Sequence, residues 1–147
     1  MKFKSKKSIG AILIFSVMVA MITFIGLAPL LLAEQHTRKS IIMDSIIALV
    51  LLGIAGIFLW MLHGTYYILK DGQLFYASGP MKGSLPLSSI TEIVKGKTKW
   101  SGIKPALATK GLIIKYNRYD EIYISPESND AFIAEILKLN NSIVITA

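Results

Sequence analysis

Thr65-Tyr66-Tyr67-Ile68-Leu69-Lys70, then Asp71-Gly72, then Gln73-Leu74-Phe75-Tyr76-Ala77: two runs rich in β-branched and aromatic residues flank an Asp-Gly pair. Such a pair between strand-like runs predicts a two-residue hairpin, because a type I′ turn needs positive φ at both central positions. The stretch also marks a change of pattern. Before Gly64 the chain is apolar over helix-length segments, and after it apolar residues alternate with a period of two.

Working downstream, Ser78–Gly83 reads as a turn cluster and Leu85–Leu87 as a short strand, in which Pro86 implies an edge or a bend. Ile90–Val94 is a further strand, ended by Gly96. Residues 95–106 read as a long connection or irregular hairpin, with Ala106–Thr109 as a candidate strand. Leu112–Tyr116 and Glu121–Ile124 alternate on either side of the turn Asn117–Asp120. The period then switches to that of a helix. Ser125 is the expected N-cap, Pro126 suits the first helical position, and Glu127 and Asp130 complement the positive helix end. Phe132, Ile133, Ile136 and Leu137 give that helix one apolar face. Asn140-Asn141 offers a stop, and the tail Ser142–Thr146 suits a short strand. The predicted domain has six or seven short antiparallel strands in a partly open barrel or sandwich, capped by a C-terminal α-helix.

Working upstream, the composition acquires a location. The chain has 147 residues, 53% hydrophobic and 17% charged, against about 25% charged in an average soluble domain. Ile9–Ala33 holds 25 residues without a charge, and a helix of that length covers roughly 37 Å, enough for a hydrocarbon core of about 30 Å. Ile41–Leu62 is a second such stretch, with Asp44 at its start as its one acid. The seven-residue link Glu34–Ser40 makes the pair an antiparallel transmembrane hairpin. Ser16, Ala20 and Thr23 form one small-residue stripe, and Ser45, Ala48 and Ala55 another; we expect the two helices to meet there. Asp44 is expected near the outer boundary, reaching water or pairing with Arg38 or Lys39.

Lys2, Lys4, Lys6 and Lys7 precede the first span, and Lys70 and Lys82 follow the second, whereas the link carries only Arg38 and Lys39. The positive-inside rule then puts both ends in the cytoplasm. The expected organisation is a basic cytoplasmic tail over 1–8, spans over 9–33 and 41–63, an external link over 34–40 and a cytoplasmic domain over 64–147. The first span exceeds the core of a signal peptide, and Leu31 replaces the small residue expected two positions before Ala33, so we read an anchor rather than a cleaved signal.

Trp60, Gly64-Thr65-Tyr66-x-Ile68-x-x-Asp71-Gly72-x-Leu74, Ser78-Gly79, Ile90, Leu112-Ile113-Ile114-x-Tyr116 and Ile124-Ser125-Pro126 followed by Phe132-Ile133 together resemble the bacterial YyaB-like family of pleckstrin-homology-like (PH-like) domains. The resemblance spans roughly residues 60–140. It implies a PH-like fold with an N-terminal membrane anchor, and, through the family's sublancin immunity protein, a role in self-protection. Its motifs are structural and name no ligand. Lipid-binding PH domains are known for a basic loop between their first two strands. Taking that loop to be Asp71-Gly72, we expect no phosphoinositide site of that type.

The chemistry is sparse. There are no cysteines, which excludes disulfides and thiolate metal sites. HExxH, GxSxG, Walker and Rossmann patterns are absent, and neither His36 nor His63 has a partner at metal-ligand spacing. We therefore expect no enzyme, no cofactor and no metal. The most suggestive segment is Lys95, Lys97, Lys99, Trp100 and Lys104, without an acid among them. It is a candidate contact for anionic lipid or a partner, set against a plain solvated loop, with each lysine adding about 1 kcal/mol near a charged membrane. Nucleic acid is not expected, since from Lys70 onward ten basic and seven acidic residues leave only +3. The expected function is a membrane-anchored, non-enzymatic binding or scaffolding module whose partners are the bilayer, a membrane or cytoplasmic protein, and a second copy through the helices. The alternatives are immunity against a bacteriocin or other membrane-active peptide, and a small pore or transport component.

Overall fold

The computed structural model describes residues 1–32, 38–99 and 102–147. In chain order the elements are β1 (Lys2–Lys4), α1 (Ile9–Leu32), α2 (Arg38–His63), β2 (Tyr66–Lys70), β3 (Gln73–Ser78), β4 (Met81–Pro86), β5 (Ile90–Lys95), β6 (Leu112–Tyr116), β7 (Asp120–Ile124), α3 (Asn129–Leu139) and β8 (Val144–Thr146). One sheet has the order β1-β2-β3-β4 and the other β7-β6-β5-β8, so no barrel closes. The amphipathic α3 lays Phe132, Ile133 and Ile136 against the core shared by both sheets, as its apolar face predicts. Asp71 and Gly72 adopt φ of 51° and 69°, the positive values that the hairpin between β2 and β3 requires.

The two long helices pack antiparallel. The Phe15 ring meets Phe58 edge-on at 5.8 Å, and Gly26 sits against Ala48 and Leu51, so residues pair in opposite directions along the hairpin. Asp44, Ala48, Leu51, Ala55, Phe58 and Leu62 are among the more covered positions of α2 and follow the alternating spacing of four and three that a helix–helix seam demands. On α1 the seam runs through Phe15, Ile22 and Gly26. Of the expected stripe on α1, Ser16 and Ala20 lie on the exposed side, and only Thr23 is half-buried. Ser45 is likewise exposed, while Ala48 and Ala55 are buried as expected. α2 begins at Arg38, so residues 38–40 of the expected link form its first turn; residues 33–37 and the side chains of Arg38 and Lys39, the proposed partners of Asp44, lie outside the described residues.

The largest departure from the sequence reading concerns residues 1–8. They do not trail from the first helix. β1 pairs antiparallel with β2, Lys2 opposite Ile68 and Lys4 opposite Tyr66, and the Met1 amino group donates to the Leu69 carbonyl at 2.5 Å. The helical hairpin is thus an insertion between the first two strands of one sheet. Further along, Lys6 N–H donates to Ser125 O at 2.7 Å, Glu127 N–H to Lys4 O at 3.0 Å, and Ser8 N–H to Leu107 O at 3.1 Å. Ser8 then caps α1, its hydroxyl accepting from Ala11 N–H at 3.0 Å. At the other end of the hairpin, Thr65 Oγ1 donates to Met61 O at 2.7 Å. Gly79, at φ 57°, lets the turn between β3 and β4 close onto Met61, where any Cβ would clash.

Smaller differences have local causes. The expected turn over 78–83 is tighter: Ser78 faces Met81 directly, and β4 begins there. Ala106–Thr109 forms no strand, and Leu107 makes a single bridge to Lys7. β8 forms as expected from the tail but pairs parallel to β5. Glu92 on β5 accepts from Lys115 at 2.8 Å and from Thr146 at 2.6 Å; these bonds, that of Lys115 foremost, hold its carboxyl below the usual range. The N-cap of α3 is Ser128, accepting from Ala131 N–H at 3.2 Å, and not Ser125.

Ser125 is diverted into a buried cluster. The Tyr67 hydroxyl, fully buried, donates to Pro105 O at 2.5 Å, accepts from Ser125 N–H at 3.1 Å and lies 3.3 Å from Ser5 Oγ. Ser5 and Ser125 hydroxyls are 3.0 Å apart, and Ser125 Oγ accepts from Leu107 N–H at 3.1 Å. Burial raises the Tyr67 phenol above its ordinary 10.0, against hydrogen bonds from Ser125 and Ser5 that pull it down. A raised phenol contributes stability that is complete below the free value and lost as pH climbs through the folded one. Tyr67→Phe is expected to destabilise the domain by about 1–3 kcal/mol, since it leaves buried partners unmatched. It should also flatten the loss of stability above pH 10. Denaturant melts of the detergent-solubilised chain at neutral and alkaline pH check both; an unchanged midpoint at neutral pH would dismiss the role of the cluster.

Candidate functional site

Alternation along β1 sorts its side chains. Phe3 points inward, its ring 5.2 Å from Phe132 in an edge-on contact, and Ser5 enters the buried cluster. Lys2, Lys4 and Lys6 therefore emerge on the opposite side. With Lys7 they line one wall of a cleft of about 480 Å³, faced by His63 and Tyr66, with Glu127 as its one acid. Lys2 Nζ stands 4.3 Å over the Tyr66 ring, and His63 Nδ1–H donates to Leu59 O at 3.0 Å. All four lysines are exposed, and none lies within 4 Å of a carboxylate among the described ion pairs. The cleft opens at the level where α1 begins and α2 ends.

The lysines singled out from sequence are disposed differently. Lys95, at the end of β5, pairs with Asp130 at 2.5 Å, and Lys99 pairs with Glu121 on β7. Lys104 lies over the Tyr123 ring at 5.9 Å. Lys97 is exposed, and its charge helps to lower the Glu92 carboxyl. Trp100 lies outside the described residues. The stretch does not form one bare cationic patch, because two of its four lysines meet carboxylates of the domain's own strands and helix. Lys95 and Lys6 do share a smaller cavity, with Glu127 and Asp130 on its walls.

Sequence reasoning assigned Lys2, Lys4, Lys6 and Lys7 to membrane orientation alone. The signal that places them in a site is the alternation Lys2-Phe3-Lys4-Ser5-Lys6, a strand pattern in miniature. β1 precedes the helices, so the whole hairpin connects β1 to β2, while Asp71-Gly72 joins β2 to β3, the first two strands after the helices. Among the described residues, no three metal-ligating side chains converge.

Two sheets with a capping C-terminal helix define a PH-like module. A family model described as Bacterial PH domain matches residues 65–140, just over half of the chain, and the chain belongs to that family. Domains of this kind are generally non-catalytic binding modules. No curated protein and no solved structure matches the chain. The matched segment starts at Thr65, and β1 and the inserted helices lie before it.

The pairings of the Lys95–Lys104 stretch make a prediction. Lys99→Met, which breaks the half-covered pair with Glu121, is expected to cost about 1 kcal/mol, and Lys97→Gln to stay within about 0.5 kcal/mol of the parent. Urea titrations of the solubilised chain distinguish them; equal effects would mean that Lys99 is as solvated as Lys97.

Proposed function

We propose that this chain is a membrane-anchored, non-enzymatic PH-like binding or scaffolding module at the cytoplasmic face of a bacterial membrane. The observation that carries the reading is the pairing of β1 with β2 across the inserted hairpin. It puts the residues before α1 and after α2 on one side of any layer the helices enter, so the hairpin crosses twice or not at all. Both helices are long and apolar enough to cross, and their surfaces are bare: only 6% and 17% of their apolar windows are covered. Phe24 is 67% and Leu49 73% exposed, which suits contact with lipid and not the core of a soluble protein. The lysines on both flanks favour the cytoplasm as the shared side.

The spans run over 9–33 and 41–63 in this reading, and Lys95, Lys97, Lys99, Trp100 and Lys104 supply an accessory contact for anionic lipid or a partner, with Lys97 its most available lysine. Cleavage after Ala33 would strip β1 from the sheet, which is a structural reason to retain the first helix. Self-protection against a membrane-active peptide rests on the YyaB-like resemblance, and residues 34–37 of the outer link it would use lie outside the described residues. For a pore, the spans supply only Asp44, close to one end.

Reporters fused in turn before Met1 and after Ala147 are expected to report the cytoplasm from both ends. A chain without residues 1–7 should still insert but lose resistance to protease in its C-terminal domain. An external signal from either terminus would overturn the orientation, and extraction of the full chain by alkaline carbonate would overturn the anchor.

A further inference from the structure

We propose that the cleft between β1 and the end of α2 binds the phosphate of an anionic phospholipid headgroup from the leaflet into which the hairpin inserts. The inference rests on the anchored reading and adds the ligand and the residues that hold it. Charge is the first argument. Lys2, Lys4, Lys6 and Lys7 face a single acid, Glu127, whereas Lys95 and Lys99 already have carboxylate partners. Four ammonium groups held near one another repel, and an anion placed among them relieves that repulsion.

Preorganisation is the second argument. The lysine stems rise from backbone fixed on both sides: Ser5 N–H donates to Thr65 O at 3.2 Å, Lys6 N–H to Ser125 O, and Lys4 O accepts from Glu127 N–H. Little main-chain entropy is left to lose on binding. Position is the third. Lys7 stands two residues before α1 and His63 is the last residue of α2. An α-helix of 24 residues is about 36 Å long, beyond a hydrocarbon core of about 30 Å. The helix ends, and the cleft beside them, therefore fall at headgroup depth. Tyr66, half-buried on the facing wall, is an amphipathic ring of the kind favoured at that depth. A volume of about 480 Å³ admits a phosphoglycerol group. A zwitterionic choline headgroup would bring its own cation into the same field, so the site should discriminate between the two.

The test uses the full chain reconstituted in vesicles of phosphatidylcholine alone or mixed equally with phosphatidylglycerol. Flotation shows insertion, and native mass spectrometry of the released protein counts the lipids retained. The parent chain is expected to keep phosphatidylglycerol in preference to phosphatidylcholine, and added salt should weaken the preference. The double variant K4Q/K6Q, which alters only exposed side chains and keeps Lys2 and Lys7 for orientation, should lower it by about fivefold per lysine. Glu127→Gln should raise it, a gain that a merely unfolded domain would not show. Equal retention of the two lipids by the inserted parent, or a preference unchanged in K4Q/K6Q, would overturn the proposal. Displacement of phosphatidylglycerol by millimolar inorganic phosphate would assign the cleft to free phosphate and overturn the lipid source. Failure of the parent chain to float with vesicles would instead overturn the anchor.

Discussion

The Tyr67 hydroxyl is the point on which the remainder of the domain hangs. Its donor goes to Pro105, its acceptor takes the Ser125 N–H, and Ser5 lies beside it. Those groups belong to β2, to the connection between β5 and β6, to the lead into α3, and to the segment after β1. A single buried oxygen thereby relates both sheets to the N-terminal segment. The gain from any one such bond is small, but an orphaned partner in this dry setting is costly, so the four segments hold one relative geometry. The lysine cleft inherits that geometry, because its wall is the outer side of the segment that Ser5 anchors.

A second constraint follows from where the helices are inserted. An anchor joined through a flexible linker would leave the domain free to tumble. Here Ser8 ties the start of α1 to Leu107, and Thr65 and the turn at Gly79 tie the end of α2 to β3. The domain and the helix ends form one continuous hydrogen-bonded and packed unit. A cleft built from both flanks of the hairpin stays in register with the helices, which a tethered domain could not ensure.

Much of this was legible in the sequence, and the residues show why. Asp71-Gly72, the alternation over Leu112–Tyr116 and the apolar face of α3 depend on neighbours a few positions away, and all three form as expected. Ser125 failed as a cap because its hydroxyl meets Ser5 and Leu107, residues far off in the chain, while Ser128 supplies the same chemistry three positions later. The phase of the α1 seam was misjudged because a helix that is apolar all round leaves small residues as the only cue. β1 was hidden for a different reason. Its lysines already had a sufficient explanation in orientation, and three residues are too few for a period to be distinct. The neutralisation of Lys95 and Lys99 depends on Asp130 and Glu121, and no local pattern reports such pairings.

The strand order has a consequence for how the chain is made. Lys2–Lys4 leaves the ribosome ahead of its partner Tyr66–Lys70, which emerges only after both long helices. Until then the first strand has no sheet to join. Closing so long a loop in a flexible chain carries an entropic cost that grows with its length, but two helices already packed side by side bring residues 8 and 64 together beforehand. In the anchored reading proposed for this chain, insertion of the hairpin thus becomes the step that lets the first sheet be completed. A copy whose helices fail to enter the bilayer is left with an unpaired edge on β2, the kind of exposed strand that quality-control proteases and aggregation both act upon.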